Sequence, residues 1–365
     1  MASVYVHIPF CARKCTYCDF VSFVNAADRI DGYISALLQE AQQYKGERAE
    51  TLFIGGGTPS LLSCAQMSRF MRGLRGCFVF TPDCEITAEA NPNSLDAEKL
   101  RLYSGEGINR LSIGLQSTLQ EELTVLGRLH TYEDFLRAYE CAIKCFDNIN
   151  IDLISGLPGQ APEDFAVTLE RAAELRPQHI SAYSLIIEPG TPLSKKIESG
   201  LLSVPDEETD RNIYRQTAEV LSRFGYRRYE ISNYALPGRE CRHNMVYWTG
   251  GDYIGLGCAA HSLYHGVRSE HTCILEQYIH NPVQINSFSL TPDDLYQEYI
   301  MLRLRLTDGF SLDEFAAKFG FRLEEHRKKE LEWLTSNGFV SLEGGRCRLT
   351  RDGLDVCQTI TAKLI

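Results

Sequence analysis

Apolar and polar residues follow two different patterns between residues 2 and about 230. Short apolar runs predict strands at 4–10, 51–54, 84–90, 110–115, 148–154 and 179–187. Apolar residues at three- and four-residue intervals predict helices with buried faces at 30–41, 135–143, 165–173 and 213–224. Repeated β-α units indicate an α/β fold with a parallel sheet, doubly wound or closed into a barrel, whose site lies at the carboxyl ends of the strands. We count about six units, which predicts a partial (β/α)6, TIM-like barrel.

The spacing of apolar residues changes in the last third of the chain. Residues 232–290 are less regular and rich in Tyr, His and Gly. Beyond them, helices are predicted at 294–305, 311–319 and 323–336, followed by a hairpin over 339–350 that turns at Gly344-Gly345. This order indicates a small winged-helix-like domain. We therefore expect a core barrel at 1–230, a connecting segment at 231–290 and a C-terminal domain at 291–365.

Composition narrows the classes of function. The 365 residues are 44% hydrophobic and carry a net charge of −11, so we expect no nucleic-acid partner. Residues 293–365 are also acidic, with 11 Lys or Arg against 13 Asp or Glu, which argues against a DNA-binding winged helix. We expect neither a transmembrane segment nor a signal peptide, because no sufficiently long apolar stretch occurs. The 13 scattered cysteines are typical of a reducing compartment, which predicts a cytoplasmic protein.

Three cysteines follow the first predicted strand. Cys11, Cys15 and Cys18 have the spacing C-x-x-x-C-x-x-C. Three thiolates can hold three irons of a four-iron cluster and leave the fourth iron open to a small molecule. A zinc site is the alternative, but it needs a fourth ligand, and this spacing is not a common one for zinc.

A glycine run follows the strand at 51–54. Residues 55–60 read Gly-Gly-Gly-Thr-Pro-Ser, which fits neither a P-loop nor a dinucleotide fingerprint. Glycines here permit close approach of the backbone to a ligand, although a simple strand-to-helix turn would explain two of them. Residues 255–260 do match G-x-G-x-x-A, but no βαβ unit is predicted around them, so we reject a nicotinamide site there.

The cysteine motif together with the glycine run resembles the radical S-adenosylmethionine (SAM) superfamily. The resemblance spans residues 4 to about 265 and is closest to the branch that contains HemN coproporphyrinogen dehydrogenases and HemW haem chaperones. It implies a [4Fe-4S] cluster on the three cysteines, SAM on the open iron, and cleavage of SAM to a 5′-deoxyadenosyl radical. It implies SAM contacts from Tyr5, Tyr17, Gly56, Gly57, Thr58, Glu89, Gln116, Arg128 and Asp152.

Several of these residues carry a more specific expectation. The resemblance places Glu89 near the SAM amino group, Arg128 near the carboxylate and Asp152 on the ribose, and it assigns no catalytic residue. Each of these side chains taken alone has an ordinary structural explanation. Glu89, Gln116 and Asp152 nevertheless lie in apolar, strand-like runs, where a polar group must be paired or must contact a ligand.

Two motifs separate the dehydrogenases from the chaperones. The dehydrogenase pattern adds a cysteine where this chain has Phe20, and it has a longer segment before the cluster. Residues 243–248 match the H-N-x-x-Y-W motif of the chaperones. Imidazole is a good axial ligand of haem iron, so the motif predicts haem binding by His243, Tyr247 and Trp248. A buried structural histidine is the alternative, and a second haem ligand is sought among His7, His261 and His265.

The resemblance therefore implies a haem chaperone that binds haem, a [4Fe-4S] cluster and SAM. It would deliver haem to an apo-haem protein, receive electrons from a donor, and possess the capacity to dimerise. Productive cleavage of SAM stays open. The alternative is an oxygen-independent coproporphyrinogen III dehydrogenase, which decarboxylates propionate side chains oxidatively.

Overall fold

Six parallel strands form the centre of the fold, in the order in which they follow one another along the chain. The structure is a computed structural model that describes residues 1–365. The strands are β1 (Ala2–Ile8), β2 (Arg48–Gly56), β3 (Val79–Ala90), β4 (Arg110–Gln116), β5 (Ile149–Ser155) and β6 (His179–Ser184). All six predicted strands and the partial parallel α/β barrel are confirmed. β1 ends before Pro9, which cannot donate a ladder hydrogen bond, and β6 is shorter than predicted because residues 185–187 leave the sheet.

Helices cover the outside of these strands. They are α1 (Ile30–Ala41), α2 (Cys64–Cys77), α3 (Ala97–Gly105), α4 (Gln120–Leu126), α5 (Tyr132–Ala142), α6 (Pro162–Glu174), α7 (Pro192–Glu198) and α8 (Glu207–Arg223). The apolar faces of all but α4 and α7 pack on the sheet in one core of 54 buried residues. Ile143 and Phe224 were expected on buried faces but are 54% and 37% exposed. Each follows the last residue of its helix, where the helical rotation toward the sheet stops.

The connecting segment is more regular than its sequence indicates. It contains β7 (Arg227–Arg228), β8 (Asn233–Ala235), α9 (Arg242–Thr249), β9 (Tyr253–Leu256), β10 (His261–Tyr264), β11 (Val267–His271), α10 (Leu275–His280) and β12 (Gln284–Ser289). Strand β9 lies parallel to β1, and β10 to β12 continue the sheet antiparallel to one another, so twelve strands form one sheet. The sequence pattern gave no strand or helix prediction here, because strands this short carry little periodicity. Residues 255–260 lead from β9 into β10 without an intervening helix, so no βαβ unit surrounds them.

The C-terminal part has its own core of 16 buried residues. It consists of α11 (Pro292–Arg303), β13 (Phe310–Ser311), α12 (Leu312–Phe319), α13 (Leu323–His326), α14 (Lys328–Ser336), β14 (Val340–Ser341), β15 (Arg346–Leu349), α15 (Arg351–Asp355) and α16 (Cys357–Leu364). Gly344 and Gly345 form the predicted hairpin turn with positive φ. The single helix predicted at 323–336 is divided at Arg327, where φ is −118° and ψ is 38°. The guanidinium of Arg327 there donates to the carbonyl oxygen of Leu364, 3.1 Å away.

No helix in the structure has both the length and the apolar character needed to cross a membrane. The division of the chain at residues 230 and 290 stays a prediction.

The contact between β9 and β10 gives a test of the sheet extension. A Cβ at Gly255 would lie 2.0 Å from the carbonyl oxygen of His261. We expect Gly255→Ala to lower the free energy of unfolding by about 1 to 3 kcal/mol through this clash. Gly76→Ala in α2 is the control, because a Cβ there meets nothing within 4 Å. Urea unfolding of the two variants, both without cofactors, measures the difference. Equal unfolding midpoints for the two variants would contradict the packing of β9 on β10.

Candidate cofactor site

The loop after β1 carries the three predicted cluster cysteines and is fastened at both ends. The N–H of Cys11 donates to the carbonyl oxygen of Phe23 over 3.0 Å, and that of Phe23 donates to Pro9 over 2.6 Å. In the middle, the N–H of Thr16 donates to the carbonyl oxygen of Leu126 at the end of α4 over 3.0 Å. The loop is therefore held in shape by backbone bonds at the carboxyl ends of the strands.

The three thiols are free and partly exposed. The hydroxyl of Thr58 donates to Sγ of Cys11, and the guanidinium of Arg128 donates to Sγ of Cys15, each over 3.5 Å. The thiols are not gathered closely enough to share one ion. In a four-iron cluster each thiolate binds a different iron, so this donor set fits the cluster.

The glycine run lies beside the loop and is crowded by it. A Cβ at Gly57 would lie 2.8 Å from the carbonyl oxygen of Phe10, and one at Gly56 would lie 2.7 Å from the ring of His7. Gly56 also has a φ of +109°, which disfavours any other residue. The glycines are thus required by contacts with β1 and the loop after it.

A small cavity of about 90 Å³ opens beside the thiols, lined among others by Cys15, Thr58, Asn91 and Arg128. The guanidinium of Arg128 donates to Oδ1 of Asn91 over 2.6 Å and to the carbonyl oxygen of Gly114 over 3.0 Å, while its Nε has no partner. This buried cation fits a carboxylate held next to the cluster. Tyr17 lies beside the same guanidinium and also packs on the apolar group formed by Leu126, Ile154 and Leu157.

Gln116 lies at the end of β4, behind this cavity. It has a φ of 73°, a conformation that costs a non-glycine residue of order 1 kcal/mol and is common at functional sites. A Cβ at Gly114 would lie 2.8 Å from the side-chain nitrogen of Gln116. The end of β4 is therefore shaped to bring Gln116 and Arg128 together.

A second cavity of about 180 Å³ lies within the curve of the sheet. It joins three predicted SAM residues with two predicted haem residues, which the sequence did not foresee. Its lining consists of Tyr5, Phe53, Glu89, Arg110, Ser112, Asn150, Asp152, Ser181, Tyr183, His243, Asn244 and Tyr247.

The two carboxyl groups of this cavity differ in their partners. The N–H of Gly56 donates to Oε2 of Glu89 over 3.1 Å. Burial and the nearby Asp152 nevertheless raise the pKa of Glu89 to about 8. Asp152 accepts hydrogen bonds from Ser112 at 2.7 Å and Asn150 at 2.8 Å, and burial raises its pKa as well. Glu89 is suited to an ammonium group and Asp152 to a hydroxyl pair, so both fit the groups of SAM.

Arg110 is a functional candidate that the sequence reasoning missed. It is 2% exposed, lines the same cavity, and its Nε has no hydrogen-bond partner. The available signal was a basic residue at the start of an otherwise apolar strand.

His243 occupies the opposite end of the cavity from the cluster loop and is enclosed. It is 1% exposed. Its Nδ1 is 2.7 Å from the hydroxyl of Thr51, and its Nε2 is 2.9 Å from that of Tyr247. Burial lowers the pKa of His243 to about 3. Neither ring nitrogen is free, so in this conformation the residue does not fit the role of a haem ligand.

Trp248 and the candidate second haem ligands do not join His243 and Tyr247. The indole of Trp248 lies under the guanidinium of Arg305, 5.5 Å away, and so faces the C-terminal part. His261 and His265 are 59% and 73% exposed in their side chains, on the hairpin of β10 and β11. His7 is buried, with its ring nitrogens near the hydroxyl of Tyr5 and the carbonyl oxygen of Val21.

Comparison with known proteins identifies the site's relatives. Residues 5–172 match the model of the radical SAM superfamily, and residues 290–356 match that of the HemN C-terminal domain. The heme chaperone HemW of Lactococcus lactis is 32% identical, covering 100% of this chain and 97% of that protein. The HemW proteins of Bacillus subtilis and Escherichia coli are 34% and 35% identical, covering 97% and 96% of this chain and 96% and 94% of those proteins.

One solved structure is also similar over the full length. It is the coproporphyrinogen III oxidase HemN of Escherichia coli, described as a radical SAM enzyme, with a TM-score of 0.87 and 28% identity. The match covers 100% of this chain and 89% of that one.

The thiol set gives a direct test of the cluster. We expect Cys15→Ala to lose the brown absorbance and the reduced-state EPR signal after anaerobic reconstitution, because two thiolates do not hold a four-iron cluster firmly. Cys273→Ala, at an exposed cysteine outside the site, is the matched control. An unchanged EPR signal in Cys15→Ala, or stoichiometric zinc in place of iron, would defeat the assignment.

Proposed function

This chain belongs to the HemW family of the radical SAM superfamily, and from that premise we propose that it is a haem chaperone. It binds haem, a [4Fe-4S] cluster and SAM, and delivers haem to an apo-haem protein. The observation that carries the proposal is its likeness, over nearly the whole length, to proteins named heme chaperones. Phe20, at the position of a fourth cysteine in the dehydrogenase pattern, supports the same choice.

The chain's own residues divide the work of holding the cofactors. Cys11, Cys15 and Cys18 bind the cluster, which when reduced supplies an electron to SAM. Arg128, beside Cys15, pairs with the SAM carboxylate and keeps negative charge near the thiolates compensated. Once the carboxyl group of Glu89 has lost its proton, it accepts a hydrogen bond from the SAM amino group.

The remaining contacts orient the nucleoside end of SAM. Asp152 accepts from the ribose hydroxyls while Ser112 and Asn150 hold its carboxylate in place. The hydroxyl of Tyr5, in the middle of β1, and the amide of Gln116, at the end of β4, add polar contacts. Gly56, Gly57 and Thr58 give a loop whose backbone approaches SAM closely, and Tyr17 keeps the loop folded through its apolar packing.

Haem belongs to the proposal through the family, and the protein ligand of its iron stays unassigned. The enclosed His243 offers no free nitrogen. The proposal also includes an electron donor and the capacity to form a homodimer. We propose a cytoplasmic location, because all 13 cysteines are free, as is usual in a reducing compartment.

A coproporphyrinogen III dehydrogenase is the second candidate. The full-length structural match to HemN at 28% identity favours it. Both functions need the same cluster and SAM contacts. They differ in the second molecule that the protein binds, which is haem in one case and coproporphyrinogen III in the other.

The raised pKa of Glu89 predicts a proton released on SAM binding. With a pKa of about 8 the free carboxyl is mostly protonated at pH 7. An ammonium group favours the carboxylate, so affinity rises with pH from 7 to about 8, by less than about fivefold. At higher pH it falls, because an α-amino group loses its own proton near pH 8. Calorimetry in two buffers of different ionisation enthalpy measures the release. Glu89→Gln should release fewer protons, and equal release by both proteins would refute this protonation state.

Two assays on the anaerobically reconstituted protein separate the candidate functions. We expect saturable haem binding, seen as a growing Soret band, and no protoporphyrinogen from coproporphyrinogen with SAM and a reductant. Formation of protoporphyrinogen would establish the dehydrogenase instead. Absence of haem binding would remove the chaperone proposal.

A further inference from the structure

The H-N-x-x-Y-W motif forms helix α9, which lies against the amino-terminal side of the strands. Thr51 on β2 and Glu85 on β3 are partners in the strand register. Glu85 accepts hydrogen bonds from the backbone N–H groups of His243 at 3.0 Å and Arg242 at 3.2 Å. The first turn of α9 is therefore capped by a side chain from inside the sheet.

The ring of His243 then enters the curve of the sheet from below. It stacks on Phe53, with ring centroids 5.2 Å apart and planes inclined by 27°. Glu89 lies four residues beyond Glu85 on the same face of β3, about 13 Å nearer the cluster loop. Since His243 and Glu89 line one cavity, His243 is at its lower end and the cysteines lie above its upper end.

The hydrogen bonds of His243 leave no nitrogen for iron. A neutral imidazole has one N–H and one acceptor nitrogen. Thr51 and Tyr247 supply a hydroxyl to each side of the ring, so both tautomers are fully satisfied. Coordination would require one of these bonds to break inside a buried site, at the cost of an unpaired hydroxyl.

The C-terminal part covers the outer side of the motif. Arg303 donates to the carbonyl oxygen of Thr249, at the end of α9, over 3.2 Å. Arg305 lies over Trp248. A flat macrocycle approaching His243 from below meets this packing, and one approaching from above must pass the SAM residues.

From this geometry, and resting on the proposed function, we propose that His243 and Tyr247 are positioning residues that close the floor of the SAM cavity, and that the haem iron takes its ligand elsewhere. The rigid floor fixes the lower boundary of the cavity opposite the cluster. The residues that contact SAM then keep their positions relative to the iron.

The variant His243→Gln tests the two roles separately. Glutamine keeps an amide donor and acceptor for Thr51 and Tyr247 but is no haem ligand. We expect His243→Ala to weaken SAM binding about tenfold and His243→Gln to restore most of it. The ferric haem EPR and Soret positions should be the same in both variants and in the unaltered protein. A changed haem spectrum in His243→Gln would overturn the proposal.

Tyr247→Phe provides a second arm that does not depend on the folding of the alanine variant. It removes only the hydroxyl at Nε2 and leaves that nitrogen unpaired. An axial ligand released in this way would bind haem more tightly, whereas a positioning role predicts unchanged haem affinity and weaker SAM binding. Tighter haem binding, or unchanged SAM affinity in both Tyr247→Phe and His243→Ala, would refute the proposal. The control is the double variant His261→Ala, His265→Ala, which leaves the floor intact and should bind SAM normally. If the unaltered protein does not bind haem, only the proposed chaperone function fails. The SAM measurements would still decide the role of His243.

Discussion

Ionisable groups enclosed within the curve of the sheet are the constraint on which the site depends. A buried charge costs several kcal/mol unless it is paired or contacts a ligand. Glu89 shows the balance directly, because its pKa of about 8 means that desolvation and Asp152 outweigh the N–H of Gly56 and the charge of Arg110. Asp152 is held by two hydrogen bonds and Arg110 keeps one nitrogen unpaired. The cavity is thus a polar space whose two carboxyl groups fit a ligand with an amino group and hydroxyl groups.

The two ends of the enclosed strands differ in the residues they carry. At the carboxyl ends of the strands, a loop fixed by backbone bonds brings thiols beside Arg128, and crowding by Phe10 and His7 requires the glycine run. At the amino ends, Glu85 caps α9 and Thr51 holds the ring of His243. One end therefore carries the thiols, and the other is closed by the packed side chains of α9.

Sequence patterns predicted the parts of the fold in which a long period repeats. The six parallel strands and four of the eight helices on them, α1, α5, α6 and α8, followed from apolar spacing. The helices α2, α3, α4 and α7 were not predicted, and the loop of three cysteines followed from a motif. The sheet extension from β9 to β12 was missed, because strands of four to six residues do not establish a period. The break at Arg327 was also missed, and the partner of its guanidinium, the carbonyl oxygen of Leu364, is 37 positions away along the chain. His243 shows the limit most clearly, since its partner Thr51 is 192 positions away and nothing local reveals that both nitrogens are bonded.

Helix α9 touches the cofactor cavity at its first turn and the C-terminal domain at its last. Its N-terminal bonds reach Glu85 and its C-terminal carbonyl accepts from Arg303. A displacement of α9 would therefore change contacts at the cavity and at the C-terminal domain together. By thermodynamic reciprocity, a protein that binds this domain and shifts α9 would change the affinity of the cavity for its ligand, and that ligand would change the affinity for the protein by the same factor. Whether the cavity is occupied would then affect the binding of other proteins at the outer surface of the molecule, through the position of α9.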